Sequence, residues 1–170
     1  MFEKLDKSDL KVLTMIANNP FTEFYLRELS KELKISPSTT KKSLDKLKKY
    51  DMIKEKRKGN LRIISGNPEE ILFKQFKILL NIEKVKPIVE QIMPAASIIL
   101  FGSYAKGENS RESDIDFCVI SNKKNLKIES SYDIQLIQLT PAGWVNLKKD
   151  NPALAKAIGE GITMHGEKPS

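Results

Sequence analysis

The strongest constraint on the fold of this 170-residue chain is a pair of short apolar runs joined by a glycine-containing bend and a polar stretch. The first run, residues 97–101, leads directly into Gly102 and Ser103. The second run, residues 114–120, opens with two aspartates that lie two positions apart. Runs of this length predict two buried β-strands. Because side chains alternate along a strand, the two carboxylates should point to one face.

The two aspartates, Asp114 and Asp116, would repel each other unless a cation lay between them. Ligands that offer only oxygen suit Mg²⁺. Gly102 would let the backbone approach a phosphate group closely, and Ser103 adds a hydroxyl group where a helix N-terminus is predicted. Together the bend and the carboxylates predict a site for a nucleoside triphosphate (NTP) with its Mg²⁺.

From residue 101 the chain reads Phe-Gly-Ser-Tyr-Ala-Lys-Gly, and from residue 113 it reads Ser-Asp-Ile-Asp. This order resembles the signature of the minimal nucleotidyltransferases of the DNA polymerase beta superfamily, and the resemblance covers residues 85–165. It implies a small α/β domain with a mixed sheet, two Mg²⁺ ions, and transfer of a nucleoside monophosphate to an acceptor hydroxyl group. Lys106 matches the basic position of the family's turn and is also consistent with a solvated lysine. Ser113 is expected to bind nucleotide or to position the carboxylate strand.

The chain departs from this family at the third carboxylate. The resemblance implies an acid on a later strand, here predicted over residues 132–140, and the matching position is Gln135. An amide is a poor proton acceptor, so activation of the acceptor hydroxyl group is in question. Asp133 lies two residues upstream and would share a face with Gln135 if the strand includes it, which makes it the candidate catalytic replacement. Asp150 and Glu129 are more remote candidates.

The N-terminal third contains three apolar stripes at helical spacing followed by two short strand-like runs. Ser36 and Pro37 predict the start of the third helix, and the turn at residues 58–60 predicts a tight hairpin. This order resembles the winged helix-turn-helix family over residues 5–66. The resemblance implies double-stranded DNA as a partner, with the third helix in the major groove and the hairpin near phosphates or a minor groove. The implied DNA-contacting residues are Ser36, Ser38, Thr39, Lys41, Lys42, Lys56, Arg57, Lys58 and Arg62.

The charge distribution agrees with an anionic partner for the N-terminal residues 1–66 alone. The formal net charge is +7, and residues 1–66 carry 16 Lys and Arg against 9 Asp and Glu, whereas the rest carries 13 of each. Such asymmetry indicates nucleic acid, although a lysine-rich solvated surface or a small protein-interaction domain with a basic face would also produce it.

The fold class predicted from these features is α+β. Residues 1–66 form a winged helix-turn-helix domain, 67–93 a helical connector, and 94–170 a small α/β nucleotidyltransferase-like domain with a mixed sheet. Asn67 and Pro68 predict the start of the connector, and Pro87 either begins a second helix or lies inside a longer one. The apolar stripes of the connector would pack against the flanking domains or form a homodimer interface.

No apolar run approaches the ~18–20 residues that a membrane-spanning helix needs, and the N-terminus lacks a secretory core. The single cysteine, Cys118, excludes a Cys-rich zinc cluster, and we expect a cytoplasmic protein. Three functions remain open: a nucleotidyltransferase, a catalytically weakened nucleotide sensor that regulates transcription, and an antitoxin-like protein that binds another protein.

Overall fold

The computed structural model describes residues 4–59, 61–93, 97–123 and 126–168. It divides into two compact units, Met1–Lys77 and Ile78–Ser170, and the division falls inside one long helix. The order of helices and strands confirms the α+β class. No helix within the described ranges has the length and apolar character to cross a membrane.

The first unit contains three helices and a small antiparallel sheet with the strand order β1-β3-β2. Strand β1 was not expected from the sequence, because its two residues gain their strand geometry from pairing with β3. The elements in chain order are α1 (Lys7–Asn18), β1 (Phe24–Tyr25), α2 (Leu26–Leu33), α3 (Pro37–Lys49), β2 (Ile53–Lys58) and β3 (Leu61–Gly66).

Local hydrogen bonds fix the ends of these helices. The side chain of Asp6 accepts from the backbone N–H groups of Ser8 and Asp9 and caps α1. Lys34 ends α2 in the left-handed region at φ 53°. Ser36 then begins α3, since its Oγ accepts from the N–H of Thr39 at 3.1 Å, and Pro37 is the first helical residue, as the sequence predicts.

The hairpin formed by β2 and β3 is the predicted wing. Its register is regular from Ile53, which pairs with Gly66, to Lys58, which pairs with Leu61. Gly59 adopts φ +59°, as the tight turn requires. The other predicted turn residue, Asn60, lies outside the described residues.

The helix after the wing, α4 (Ile71–Ile92), starts later than the sequence predicts. Asn67 was expected to cap it, but its Nδ2 instead donates to the carbonyl of Asp51 at 2.7 Å, and residues 68–70 form a turn. The competing acceptor, the carbonyl of Asp51, lies just after α3, so the sequence around Asn67 does not reveal it. Pro87 lies inside α4, so of the two alternatives that the sequence left open the single longer helix is correct and a second helix starting at Pro87 is wrong.

An ion-pair group connects α3 to the wing. Arg62 Nε and one terminal nitrogen donate to the two carboxylate oxygens of Glu55 at 3.1 and 2.9 Å, and that terminal nitrogen also contacts Asp45 at 2.9 Å. The side chain of Glu55 is only 6% exposed, and the nearby guanidinium of Arg62 holds the pKa of Glu55 below its usual value. The charge of Arg62 is therefore already balanced inside this unit.

The second unit is built on a four-stranded mixed sheet with the order β6-β5-β4-β7, which confirms the predicted mixed sheet. Strands β5 and β6 are parallel, whereas β4 is antiparallel to both β5 and β7. The elements are the second part of α4, then β4 (Ser97–Phe101), α5 (Gly102–Lys106), β5 (Ile115–Ile120), β6 (Ile134–Leu139), α6 (Pro141–Asp150), α7 (Pro152–Gly159) and β7 (Ile162–Gly166).

Both faces of this sheet are covered by apolar side chains. On one face, Ile115 and Phe117 pack with residues of α4 such as Val85. On the other face, Cys118 packs with residues of α6 and α7, including Trp144. Cys118 is fully buried in this core, and burial raises the pKa of its thiol to about 11.

We predict that Arg62→Met lowers the free energy of unfolding by about 1–3 kcal/mol at pH 7, because it leaves the buried Glu55 with weaker partners. Since the pKa of Glu55 is lowered in the fold, the stabilisation by Arg62 is present at neutral pH and disappears as the pH falls through that lowered pKa. Urea unfolding at pH 7 and pH 3 measures both effects.

The matched control is Arg57→Met, because Arg57 is 79% exposed and its Nε lies 3.9 Å from the same carboxylate. This change should cost less than about 0.5 kcal/mol. Equal destabilisation of the two variants would show that the Arg62–Glu55 pair does not stabilise the wing.

Candidate functional site

The candidate site lies at the edge of the second sheet where β4 ends and where β5 and β6 begin. This follows from topology, because β4 runs antiparallel to β5 and β6 runs parallel to it. Phe101 pairs with Asp116, and Asp116 pairs with Gln135. The Gly-Ser bend, the aspartates and Gln135 are thus brought together from three strands.

Gly102 and Asp116 are in direct contact. Gly102 has φ +68°, and a Cβ atom built on it would collide with Asp116 Oδ2 and lie 3.1 Å from Asp116 Cγ. Both the backbone conformation and the neighbouring carboxylate therefore require a residue without a side chain. The sequence predicts that Gly102 lets a phosphate group approach the backbone. In the structure, the carboxylate of Asp116 lies where a side chain of residue 102 would be.

The two carboxylates are close enough to influence each other. Burial raises the pKa of Asp116, and the negative charge of Asp114 raises it further. Strand alternation places Asp116 on the same face as Cys118, and Asp114 immediately precedes β5. A partly buried pair of carboxylates with repelling charges is a donor set that a divalent cation stabilises, so these residues fit Mg²⁺.

Gln135 completes the group and occupies the position where the family pattern has an acid. Its Nε2 donates to Asp114 Oδ2 at 2.8 Å. Among the residues that the structure describes, no group of three or more His, Cys, Asp or Glu side chains could hold a metal ion. The carbonyl of Asp133 accepts from the N–H of Ile115 at 2.9 Å, and its side chain is exposed. Asp133 therefore lies next to the start of β5, two residues before Gln135. Strand β6 begins at Ile134, so it does not include Asp133, as a shared face with Gln135 would require.

The remaining nucleotide-binding candidates flank the bend. Ser103 is half-buried in the first turn of α5, and Lys106 is exposed in its last turn. Ser113 has a local partner, because its Oγ accepts from the N–H of Ser110 at 2.9 Å. This bond closes the turn just before Asp114.

The candidate DNA-contacting residues lie on α3 and the wing. Ser36 caps α3 and Thr39 is half-buried, whereas Arg62 is held by Glu55 and Asp45. The other six are exposed, on α3 and on β2: Ser38, Lys41, Lys42, Lys56, Arg57 and Lys58.

Comparisons with known proteins match two families to different parts of the chain. A model of the nucleotidyltransferase domain matches residues 82–158, and a model of winged helix-turn-helix DNA-binding domains matches residues 5–54. The protein named "Putative protein adenylyltransferase MJ1379" of Methanocaldococcus jannaschii is 38% identical over 102 residues, which are 55% of this chain and 90% of that protein. The same organism's "Putative protein adenylyltransferase MJ1547" is 38% identical over 50 residues, 26% of this chain and 41% of that protein.

Among solved structures, two of Lactococcus lactis ZitR match this chain at 21% identity, with TM-scores of 0.40 and 0.39. The second of these is a complex with DNA. Each match covers 54% of this chain, and this chain spans 62% of the ZitR chain.

We predict that Gly102→Ala lowers the free energy of unfolding by more than about 2 kcal/mol, because it adds a collision with Asp116 to the cost of a positive φ. Gly159→Ala is the control in the same unit, since nothing lies within 4 Å of its added Cβ and φ is not positive. The control should change stability by less than about 0.5 kcal/mol in urea unfolding. A Gly102→Ala variant as stable as this control would contradict the described contact.

Proposed function

The chain belongs to the nucleotidyltransferase family and carries a winged helix-turn-helix domain, and we propose on that basis that it transfers a nucleoside monophosphate from an NTP to an acceptor hydroxyl group. The observation that carries this proposal is the contact between Gly102 and the carboxylate of Asp116. It supports a single site in which a bend suited to phosphate groups adjoins a carboxylate pair suited to a cation.

The roles of the chain's own residues follow from their chemistry. Asp114 and Asp116 would hold Mg²⁺, proposed as two ions, and the bound metal would polarise the α-phosphate and neutralise charge on the leaving pyrophosphate. Ser103 donates its hydroxyl hydrogen to a phosphate oxygen, Lys106 balances phosphate charge, and Gly102 keeps the carboxylate of Asp116 against the bend.

In the proposed reaction, the acceptor oxygen forms a bond to the α-phosphorus. The bond from that phosphorus to the oxygen shared with the β-phosphate breaks, and pyrophosphate leaves. The acceptor's proton must go to a base. Gln135 cannot take this proton, so we assign it to Asp133, which lies beside the start of β5, or to a group on the substrate.

The acceptor is proposed by analogy with the relatives. Both Methanocaldococcus jannaschii proteins are named for adenylyl transfer to protein. ATP and a protein hydroxyl group are therefore the first donor and acceptor to test, with the chain itself, a protein partner and RNA ends as candidate acceptors.

A second candidate function is a nucleotide sensor that controls DNA binding, and the hydrogen bond from Gln135 to Asp114 favours it. An amide in place of the third acid allows nucleotide binding while it removes a proton acceptor. Such a sensor must bind Mg²⁺–NTP with different affinities in its DNA-bound and DNA-free states.

The enzyme and the sensor can be separated by measuring the transfer of label to an acceptor from NTPs that carry ³²P at the α-phosphate. Asp116→Asn should reduce transfer at least about 100-fold, because it removes one of the proposed metal ligands. Glu90→Gln is the control, since Glu90 is an exposed acidic residue of α4 to which no role is assigned, and it should leave transfer unchanged. Gln135→Glu should raise transfer about tenfold or more, because it restores a proton acceptor.

The outcomes are distinct. Transfer by the wild-type chain that Asp116→Asn abolishes supports the enzyme. Tight Mg²⁺–NTP binding without transfer, together with nucleotide-dependent DNA affinity, supports the sensor. If the wild-type chain binds none of the four NTPs in the presence of Mg²⁺, both functions are wrong.

A further prediction concerns the DNA-binding surface that we assign to α3 and the wing. Replacing both Lys41 and Lys42 with Ala should make the negative slope of log K against log salt less steep. The expected reduction in its magnitude is ~0.9 for each phosphate group that these lysines neutralise in the wild-type complex. Fluorescence anisotropy with double-stranded DNA at several salt concentrations measures this slope. The control is Lys7→Ala with Lys11→Ala, which removes the same charge from α1. Equal changes in slope would show that the effect reflects net charge rather than phosphate binding by α3.

A further inference from the structure

Helix α4 contributes one buried amide to the second unit, at Asn81. The residue is 4% exposed and has apolar neighbours in the sequence on both sides. Its Nδ2 donates two hydrogen bonds of 2.8 Å, one to the carbonyl of Tyr104 and one to Oδ1 of Asn109. Asn109 is itself only 6% exposed. Two buried acceptors are thus satisfied by a single side chain.

The two partners of Asn81 belong to the segments that build the candidate site. Tyr104 lies in α5, whose first two residues are the Gly-Ser bend. Asn109 lies in the loop 107–113, which leads to Asp114 and has neither helix nor strand structure. The loop also has bonds close by in the chain, among them one from the N–H of Glu108 to the carbonyl of Ser103 at 2.9 Å.

We propose that Asn81 is a positioning residue of the nucleotide site: it ties the bend and the loop before the carboxylates to α4 and so sets the spacing between phosphate-binding and cation-binding groups. This inference rests on the proposed binding of Mg²⁺–NTP. The family model matches residues 82–158, so Asn81 lies just outside the matched region.

The chemistry of the position explains why an amide is needed. Both partner atoms are oxygen acceptors, and an asparagine side chain offers two N–H donors from one nitrogen. An aspartate would place a third acceptor among them, and a leucine would leave both without a donor. In a buried setting, either change displaces the loop or the bend.

A second residue of α4 holds the same tyrosine at its other end. Lys84 Nζ donates to the phenol oxygen of Tyr104 at 3.1 Å and lies 4.1 Å from the ring centroid of Tyr132. The backbone carbonyl and the side chain of Tyr104 are therefore both fixed to α4, and Asn109 attaches the loop to the same helix.

The experiment is a double-mutant cycle that uses Asn81→Ala, Asn109→Ala and the double variant in the full chain. Isothermal titration with each of the four NTPs in the presence of Mg²⁺ gives the dissociation constants, and hydrogen exchange reports on residues 107–113. Each single change should weaken binding of the preferred NTP about tenfold, the factor associated with removal of one hydrogen bond from a buried site. The double variant should be weaker than the singles by less than about twofold.

The control is Ser97→Ala in the same unit. The Oγ of Ser97 donates to the carbonyl of Glu167 at 2.8 Å, at the end of β4 that lies away from the bend. This change should raise hydrogen exchange around residue 167 and change nucleotide affinity by less than about twofold. If Asn81→Ala fails to fold, Asn109→Ala is compared with this control instead, because it removes the same hydrogen bond from the loop side.

Several results would overturn the proposal. Faster exchange in 107–113 with unchanged nucleotide affinity would show that Asn81 stabilises the loop without positioning the site. Additive effects in the cycle would show that Asn81 and Asn109 do not act through their shared bond. If the wild-type chain binds NTP and Asn81→Ala binds it equally well, this inference alone fails. If the wild-type chain binds no NTP, the proposed function fails with it.

Discussion

The pairing of β4 with β5 is the constraint on which the candidate site depends. It places Phe101 opposite Asp116, so the bend that follows β4 comes directly against a carboxylate of β5. The contact is possible only because Gly102 has no side chain and adopts a positive φ. The parallel pairing of β6 then brings Gln135 beside the same aspartate. A shift of one residue in either pairing would turn these side chains to the opposite face of the sheet.

The arrangement is costly for stability, which is typical of functional sites. Two carboxylates lie close together at a partly buried edge, and burial together with the charge of Asp114 raises the pKa of Asp116. Since the pKa of Asp116 is above its usual value, the repulsion destabilises the fold as the pH rises through that pKa. A bound cation would remove this cost. Gln135 adds a hydrogen bond to Asp114 without adding a third negative charge.

Local sequence patterns predicted much of the fold, and contacts between distant residues account for what they missed. Ser36 with Pro37 and the turn at Gly59 predict a helix start and a hairpin from their own chemistry. The late start of α4 depends on Asp51, which captures the side chain of Asn67. The two residues of β1 have no pattern of their own and gain strand structure only from β3.

The same limit applies to the sites. The spacing of the aspartates and the Gly-Ser bend identified the edge of the sheet, while the partners of Arg62 and the role of Asn81 required the folded chain. One signal for Asn81 was present: a lone amide within an apolar stretch of a helix, which implies a buried polar partner. Nothing in the sequence identified Tyr104 and Asn109 as those partners.

The most direct test of the central claim is a crystal structure of the chain with Mn²⁺ and a non-hydrolysable NTP analogue, with the metal located by anomalous scattering. We expect metal density within about 2.0–2.3 Å of carboxylate oxygens of both Asp114 and Asp116, with phosphate groups at Gly102 and Ser103. Metal held away from these aspartates, or phosphate groups bound at another surface, would contradict the proposed site.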